Sequence, residues 1–476
     1  MWWRTSDPDN RLPGILQMDG NVDPVLRLIG GFELRIMQLT PDGSLTSHGE
    51  LRAPGTIHGE ASGKSITLFG SSTAGQKGGL LGRPHEHTLA AAVTLVGQHV
   101  VDPFSEFVAG AEVHVENLTV WAGRTAIRAQ MMMEDSGHWT GRSRIDVVAT
   151  DDDEVVIPGA RLYLKHVFNP LDFENSTAKR TVSIREYCYV KFEFDNPVSL
   201  ETYDRYVSDL QDLITFCVDR PSAILREVIS VAGGRASGRE GQSKARLYKR
   251  YVVAPEPEKD AVDTSEALAL LGEDADFAGL VARWFSLIEK IRSSVRMVTG
   301  LSYVSDGYLE GRLVTAVSAA EGLHRSLYRS TAMTKERFDA LRSTATDGLV
   351  EEDAKWLRER LHNEPTLNDR LLDMVSRIES YSGSELPINS GRWAAQAKRA
   401  RNALVHRDEA GSLARQLRRM DLHQLDAIVE TTLLVVTVLV FVELQLDGTV
   451  IRDLPQGNSR MRMALWLASK HLVDES

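Results

Sequence analysis

The first 200 residues alternate apolar and polar side chains in short runs. Ser65-Ile66-Thr67-Leu68-Phe69 and Glu112-Val113-His114-Val115-Glu116 carry the period of two that a sheet with one buried face requires. Thr181 to Ile184 and Tyr187 to Phe194 repeat it. Turn pairs punctuate these runs, among them Pro13-Gly14, Gly30-Gly31, Pro54-Gly55, Gly78-Gly79 and Pro158-Gly159. Strands at this spacing predict an antiparallel β-sandwich or barrel-like domain. The acidic run Asp151-Asp152-Asp153-Glu154 reads as a solvated hairpin tip.

At Asn196-Pro197-Val198-Ser199 the period changes. Ser199 is placed to cap a helix from Leu200 to Phe216, with Tyr203, Tyr206, Leu210, Leu213 and Ile214 at helical spacing. A β-like return follows at Leu247 to Val253, then a polar, proline-bearing stretch from Pro255 to Asp260 that reads as a linker or boundary loop. From about 265 onward the pattern is helical. Trp284, Ile288, Ile291, Val295 and Val298 form one apolar stripe, and Leu309, Leu313, Ala316, Val317, Ala320 and Leu327 another. Thr366 with Asp369 three residues on predicts a capping box opening a helix with Leu367, Leu371, Met374 and Ile378. A helix around Trp393 ends at Gly411, and Ser412 caps a last long helix to about Leu446. The prediction is an α+β multidomain chain. A β-rich antiparallel domain spans 1–255, and an all-α bundle of five or six helices spans 256–476, closed by a C-terminal tail helix.

Composition narrows the class. A chain of 476 residues exceeds one ordinary core, so two or three domains are expected. Cys188 and Cys217 form no CxxC pair, so neither a disulfide framework nor a zinc site is expected, and a reducing, cytoplasmic compartment is the default. The residues after Met1 lack the layout of a signal peptide. Leu433 to Val442 is apolar apart from Thr437, but a bilayer crossing needs about 20 such residues, so a buried core helix is expected and no membrane. The net charge of −11 restricts any nucleic-acid contact to a local basic patch.

Two apparent motifs carry little chemistry. Gly59-Glu60-Ala61-Ser62-Gly63-Lys64-Ser65 resembles a phosphate-binding loop, but it is one residue short and leads into a strand. His85-Glu86-His87 lacks a third ligand at a diagnostic spacing and is expected on a loop surface. The stretch Lys398-Arg399-Ala400-Arg401-Asn402-Ala403-Leu404-Val405-His406-Arg407 is more informative. Asn402 and His406 are i and i+4, about 40° apart on one helix face. The apolar stripe is Trp393, Ala397, Ala400 and Leu404, and His406 points about 200° away from Leu404. Residues 392 to 419 hold eight Lys or Arg against Asp408 and Glu409, a concentrated cationic patch on an acidic chain that suggests an anionic ligand, with phosphodiester the natural candidate.

Arg401-Asn402-Ala403-Leu404-Val405-His406 matches the HEPN signature of Arg, four residues and His, with a polar residue after the Arg. Residues from about 265 to 450 look like a HEPN domain, with Ala319-Ala320-Glu321-Gly322-Leu323 and Leu367 to Leu372 fitting its other helices. Asp9 to Gly14, Ile57-His58-Gly59-Glu60, Ile66-Thr67-Leu68, Leu118-Thr119-Val120-Trp121, Phe194-Asp195-Asn196-Pro197 and Asp212 to Phe216 resemble the β-rich part of ApeA-type bacterial anti-phage proteins. The resemblance implies a regulated RNA endonuclease that works without metal or cofactor, as a homodimer or higher homo-oligomer. Its catalytic residues would be Arg401, Asn402 and His406, with Lys398, Arg399 and Arg407 holding flanking phosphates. Such a site needs a base for the 2′-hydroxyl, an acid for the leaving 5′-oxygen and a cation for the phosphorane, and it leaves a 2′,3′-cyclic phosphate. One histidine serves both proton transfers poorly, so a second copy is expected to face the first. tRNA is a candidate substrate, and a phage component is the expected trigger through the N-terminal domain. Some HEPN proteins carry a modified tyrosine two residues after the histidine; Asp408 stands there in this chain. Glu321 is expected as an ordinary surface glutamate, with pairing to Arg401 or His406 the lesser reading. The alternative function is a non-catalytic module in which the basic helix binds RNA or an acidic protein.

Overall fold

The computed structural model describes residues 1–18, 22–32, 36–39, 41–43, 45–48, 55–77, 85–233, 243–255, 260–304, 307–405 and 420–473. By contacts, these fall into two compact units. The first comprises Met1–Thr215, Pro221–Val262 and Leu270–Ala282; the second comprises Phe216–Arg220, Asp263–Ala269 and Arg283–Ser476.

The first unit is built on an eleven-stranded antiparallel sheet. Its order is Asp153–Ile157, Ala160–Phe168, Glu186–Val198, Val108–Val115, Ile224–Val231, Ser243–Lys249, Val93–Val96, Lys64–Phe69, Ile57–Ala61, Trp2–Arg4 and Asp7–Leu12. Directly paired residues share a face. One face buries Leu162, Leu164, Val190, Phe192, Val113, Ile229 and Leu247. A short helix α1 (Leu118–Trp121) precedes the central strands' partners, and the long helix α2 (Leu200–Val218) covers this face. Tyr203 of α2 packs edge-on against Phe194, and its hydroxyl donates to the buried Glu227 at 2.8 Å. Ser199 Oγ accepts from the Thr202 amide at 3.2 Å, so the cap predicted at the start of α2 is present.

At the other end of the sheet the opposite face meets a four-stranded sheet, ordered Gly14–Gln17, Val25–Ile29, Glu86–Ala90 and Ser72–Lys77. Leu26, Leu28, Leu89 and Phe32 close on Trp2, Ile57, Ile66 and Leu68. The expected sandwich therefore exists, but over part of the large sheet only. Gly59 is required there by close approach: a Cβ at this position would lie 2.1 Å from the Trp2 ring.

Several local readings change. His87 is not on a loop; it lies in the strand Glu86–Ala90, fully buried, with Nε2 3.0 Å from Thr73 Oγ1. The alternation that buries Leu89 buries His87 as well. The acidic run is not a hairpin tip. The chain turns at Pro158-Gly159, and the run enters the edge strand, where Asp152, Asp153 and Glu154 pair with Lys165, Arg124 and Arg161 at 2.6, 3.1 and 2.6 Å. The strand expected over Leu247 to Val253 is Ser243–Lys249. Gly59 to Ser65 forms a hairpin with Ser62 and Gly63 at positive φ and leads into the strand Lys64–Phe69, as expected.

The second unit is helical. Its elements are α3 (Phe277–Tyr303, from Arg283), α4 (Leu309–Leu327), α5 (Lys335–Thr346), α6 (Glu351–Arg360), α7 (Leu367–Ser382), α8 (Ser390–Val405), α9 (Leu422–Glu443), α10 (Gly448–Gly457) and α11 (Ser459–His471). The stripes predicted on α3 and α4 are buried, apart from half-buried Leu309 and Leu327 at the ends of α4. The predicted capping box is present: Thr366 Oγ1 accepts from the Asp369 amide, and Asp369 Oδ2 from the Thr366 amide at 3.0 Å. The bundle has more pieces than expected: α5 and α6 bury almost no side chain and so carry little apolar signal, and the tail is two helices, α10 and α11, that bury Ile451, Leu454, Met461 and Leu465. The apolar stretch Leu433–Val442 sits inside α9, which is long and apolar enough to cross a membrane but has 89% of its most apolar window buried among the other helices. Asp421 caps α9 by accepting from the Gln424 amide at 2.7 Å. The expected cap Ser412 and helix end Gly411 lie outside the described residues.

Candidate active site

The site is built on α8 of the helical unit. Asn389 Oδ1 caps this helix by accepting from the Arg392 amide at 3.0 Å. Trp393, Ala397 and Ala400 are buried as the stripe predicted, while Leu404 is half-buried. Trp393 Nε1 donates to Thr432 Oγ1 of α9 at 3.1 Å, which fixes the rotation of α8 against the central helix. Ala394, Gln396 and Ala403 are buried too, so the covered side is wider than the stripe.

That rotation places Arg401 and Asn402 half out of the core. Arg401 is therefore not freely exposed. Its Nη1 donates to Asn402 Oδ1 at 3.3 Å, and its Nη2 to Glu321 Oε2 on α4 at 3.2 Å. Its Nε is buried and has no partner among the described residues. Asn402 thus holds the arginine. Lys398 is half-buried and Arg399 exposed on the same helix. His406 and Arg407 lie outside the described residues.

Glu321 corrects an expectation, since it is not an ordinary surface glutamate. It sits between two cations, with Arg325 Nη1 3.8 Å from Oε1 and Arg401 on Oε2. Arg325 reaches Glu364 at 2.7 Å, and Glu364 reaches the buried Arg370 at 2.9 Å. Charges therefore alternate from α8 across α4 to the start of α7. Sequence reasoning missed Arg325 and Glu364 in this chain; the i,i+4 spacing of Glu321 and Arg325 was the only local signal.

One turn further along α4, His324 is buried with Nε2 2.8 Å from Asp373 Oδ2. Burial lowers its pKa, and the Asp373 carboxylate opposes that only in part. This histidine is closed off from solvent and is part of the packing, with Tyr328 edge-on to its ring. Among the described residues, no three His, Cys, Asp or Glu side chains cluster as metal ligands.

The helical unit, with Arg401 and Asn402 paired near the end of α8, is of the HEPN class by its family match. Residues 314–449 match the family model described as Apea-like HEPN. Residues 1–265, more than half of the chain, match the family model of ApeA N-terminal domain 1. The chain belongs to the ApeA family, with an N-terminal ApeA domain and a C-terminal HEPN domain. Neither the curated proteins nor the solved structures contain a match to it.

Proposed function

We propose that the chain is an RNA endonuclease of bacterial anti-phage defence, acting in the cytoplasm by abortive infection. The observation that carries this reading is the state of Arg401: a half-buried guanidinium on α8, oriented by Asn402 through Nη1 and by Glu321 through Nη2. A guanidinium stays cationic at every relevant pH and can take two phosphate oxygens at once.

In the proposed reaction the 2′-oxygen of one nucleotide attacks the adjacent phosphorus, and the bond from phosphorus to the 5′-oxygen breaks. The 2′-hydroxyl proton passes to a neutral imidazole, and the departing 5′-oxygen takes a proton from an imidazolium. His406 supplies one of these, and His406 of a second copy supplies the other. Arg401 stabilises the charge on the phosphorane, and Lys398, Arg399 and Arg407 hold flanking phosphates. The products are a 2′,3′-cyclic phosphate and a 5′-hydroxyl. This chemistry needs positive charge and proton transfer, both available from side chains, so no metal or cofactor is assigned to it. The domain at 1–255 is assigned the regulatory role over the nuclease at 256–476, with a phage component as trigger and tRNA as a candidate substrate.

The test is incubation of purified protein with total RNA in excess EDTA, followed by mapping of the RNA ends. Persistent cleavage with cyclic-phosphate ends supports the reading. Binding without cleavage, or cleavage abolished by EDTA, contradicts it.

A further inference from the structure

Over its middle strands the large sheet has a face that is partly exposed among the described residues: Tyr163, Lys191 and Glu112 are half-buried and Arg246 exposed, while Val228 is buried. Register places Tyr163 opposite Lys191, Lys191 opposite Glu112, Glu112 opposite Val228 and Val228 opposite Arg246, so these residues lie on one side. That side is opposite to the one α2 covers, because Leu162, Val190, Val113 and Leu247, one residue away on the same strands, are buried. The four-stranded sheet covers this side only over the strands around Ile57, Ile66 and Leu68. The remainder carries aromatic rings between cations.

His114 and Tyr189 stack with centroids 5.1 Å apart, and Tyr187 lies 5.7 Å from His114 and is 37% exposed. Lys191 and Lys165 reach over the Tyr163 ring. Lys165, Tyr189, Lys191, Lys244, Glu112 and Glu193 line a groove of about 560 Å³ across five of these strands. The lysines are partnered: Lys191 with Glu193 and Lys244 with Glu112, each at 2.5 Å, and Lys165 with Asp152. Arg226, opposite His114, and Arg246, whose guanidinium lies 4.8 Å from the Tyr248 ring, are exposed and make no ion pair with a described residue. The face therefore keeps a cationic surplus in a chain of net charge −11.

We propose that this partly exposed face of the N-terminal sheet is a binding platform for single-stranded RNA. Unpaired bases can extend the stack of Tyr187, His114 and Tyr189 at its exposed Tyr187 end, while Arg226 and Arg246 meet the phosphates. A duplex hides its base faces and would use the cations alone. The platform lies in a different unit from Arg401 and stands whether or not the HEPN domain cleaves RNA. If it does cleave, the platform gives the regulatory domain its own contact with RNA.

The test uses the full chain carrying Arg401→Ala, so that cleavage cannot erode the probe. A fluorescein-labelled 12-mer of uridylate, with 4-thiouridine at alternate positions, is titrated by anisotropy and then photo-crosslinked. The expected result is binding that weakens steeply with salt. Tyr189→Ala and the pair Arg226→Glu/Arg246→Glu should each weaken it about tenfold, with unchanged melting temperature, and crosslinks should map to Tyr187 or Tyr189. Affinity unaffected by either variant, or crosslinks confined to the helical unit, would overturn the platform. So would competition by poly-glutamate as strong as by unlabelled uridylate, which would make the face a dock for acidic protein. The wild-type cleavage assay reports separately on the nuclease reading.

Discussion

Replacing Glu321 by alanine tests how the arginine of the site is held. Arg401 and Glu321 are 3.2 Å apart. At an effective dielectric of about 20 the bare attraction is about 5 kcal/mol. Both side chains remain partly in water, at 25% and 20% exposure. Solvent screening and side-chain entropy then leave a net coupling of about 1 kcal/mol, a factor of about five in the population of the held rotamer. Arg325 loses its longer contact to Glu321 but stays paired with Glu364, so the loss of Glu321 acts mainly on Arg401. Single-turnover cleavage of an end-labelled RNA should therefore slow about fivefold in Glu321→Ala. Glu321→Gln keeps an acceptor for Nη2 and should recover most of the rate. Equal or faster cleavage by Glu321→Ala would refute this positioning role and would mean that the glutamate masks the arginine.

Gly59→Ala should destabilise the first unit by about 3 kcal/mol or more, because the new Cβ would meet the fully buried Trp2 ring at 2.1 Å; a fall in melting temperature of about 6 °C or more checks it. His58, His87 and His324 are buried, and burial lowers the pKa of each. The unfolded chain then binds protons first as pH falls through about 6.5, so stability is full above that value and declines below it, by up to about 1.4 kcal/mol per pH unit for each histidine. Melting curves from pH 7.5 to 5.5 should show this, with a shallower slope in His87→Gln. Cys188 should resist iodoacetamide at pH 8 in the native protein and react in urea, read by mass spectrometry, since burial pushes its thiol up to about 12.

Much of this architecture is legible in the residues themselves. The stripes of α3 and α4, the capping box at Thr366 and the cap at Ser199 obey local rules, and local rules read well from one chain. Leu433–Val442 reads as core from its short apolar run, but the helix around it has 22 residues, so its burial and not its length makes it a core element. What is set by distant partners was harder to see. His87 is buried because a second sheet lies over its strand, and nothing near it in sequence says so. Glu321 meets Arg401 across 80 positions, which no spacing rule covers. The acidic run meets its cations on the neighbouring strand and on the loop before Thr125, so a reading of the run by itself made it a tip. Of the expected catalytic trio, Arg401 and Asn402 come together on α8, and His406 lies outside the described residues.

The central claim is that Arg401 and His406 perform RNA cleavage. The direct measurement is cleavage of total RNA by wild type, Arg401→Ala and His406→Ala at matched folded concentration, with the ends sequenced. Cyclic-phosphate ends from wild type, reduced at least a hundredfold in both variants at unchanged melting temperature, are the predicted result. Full cleavage by either variant would contradict the account.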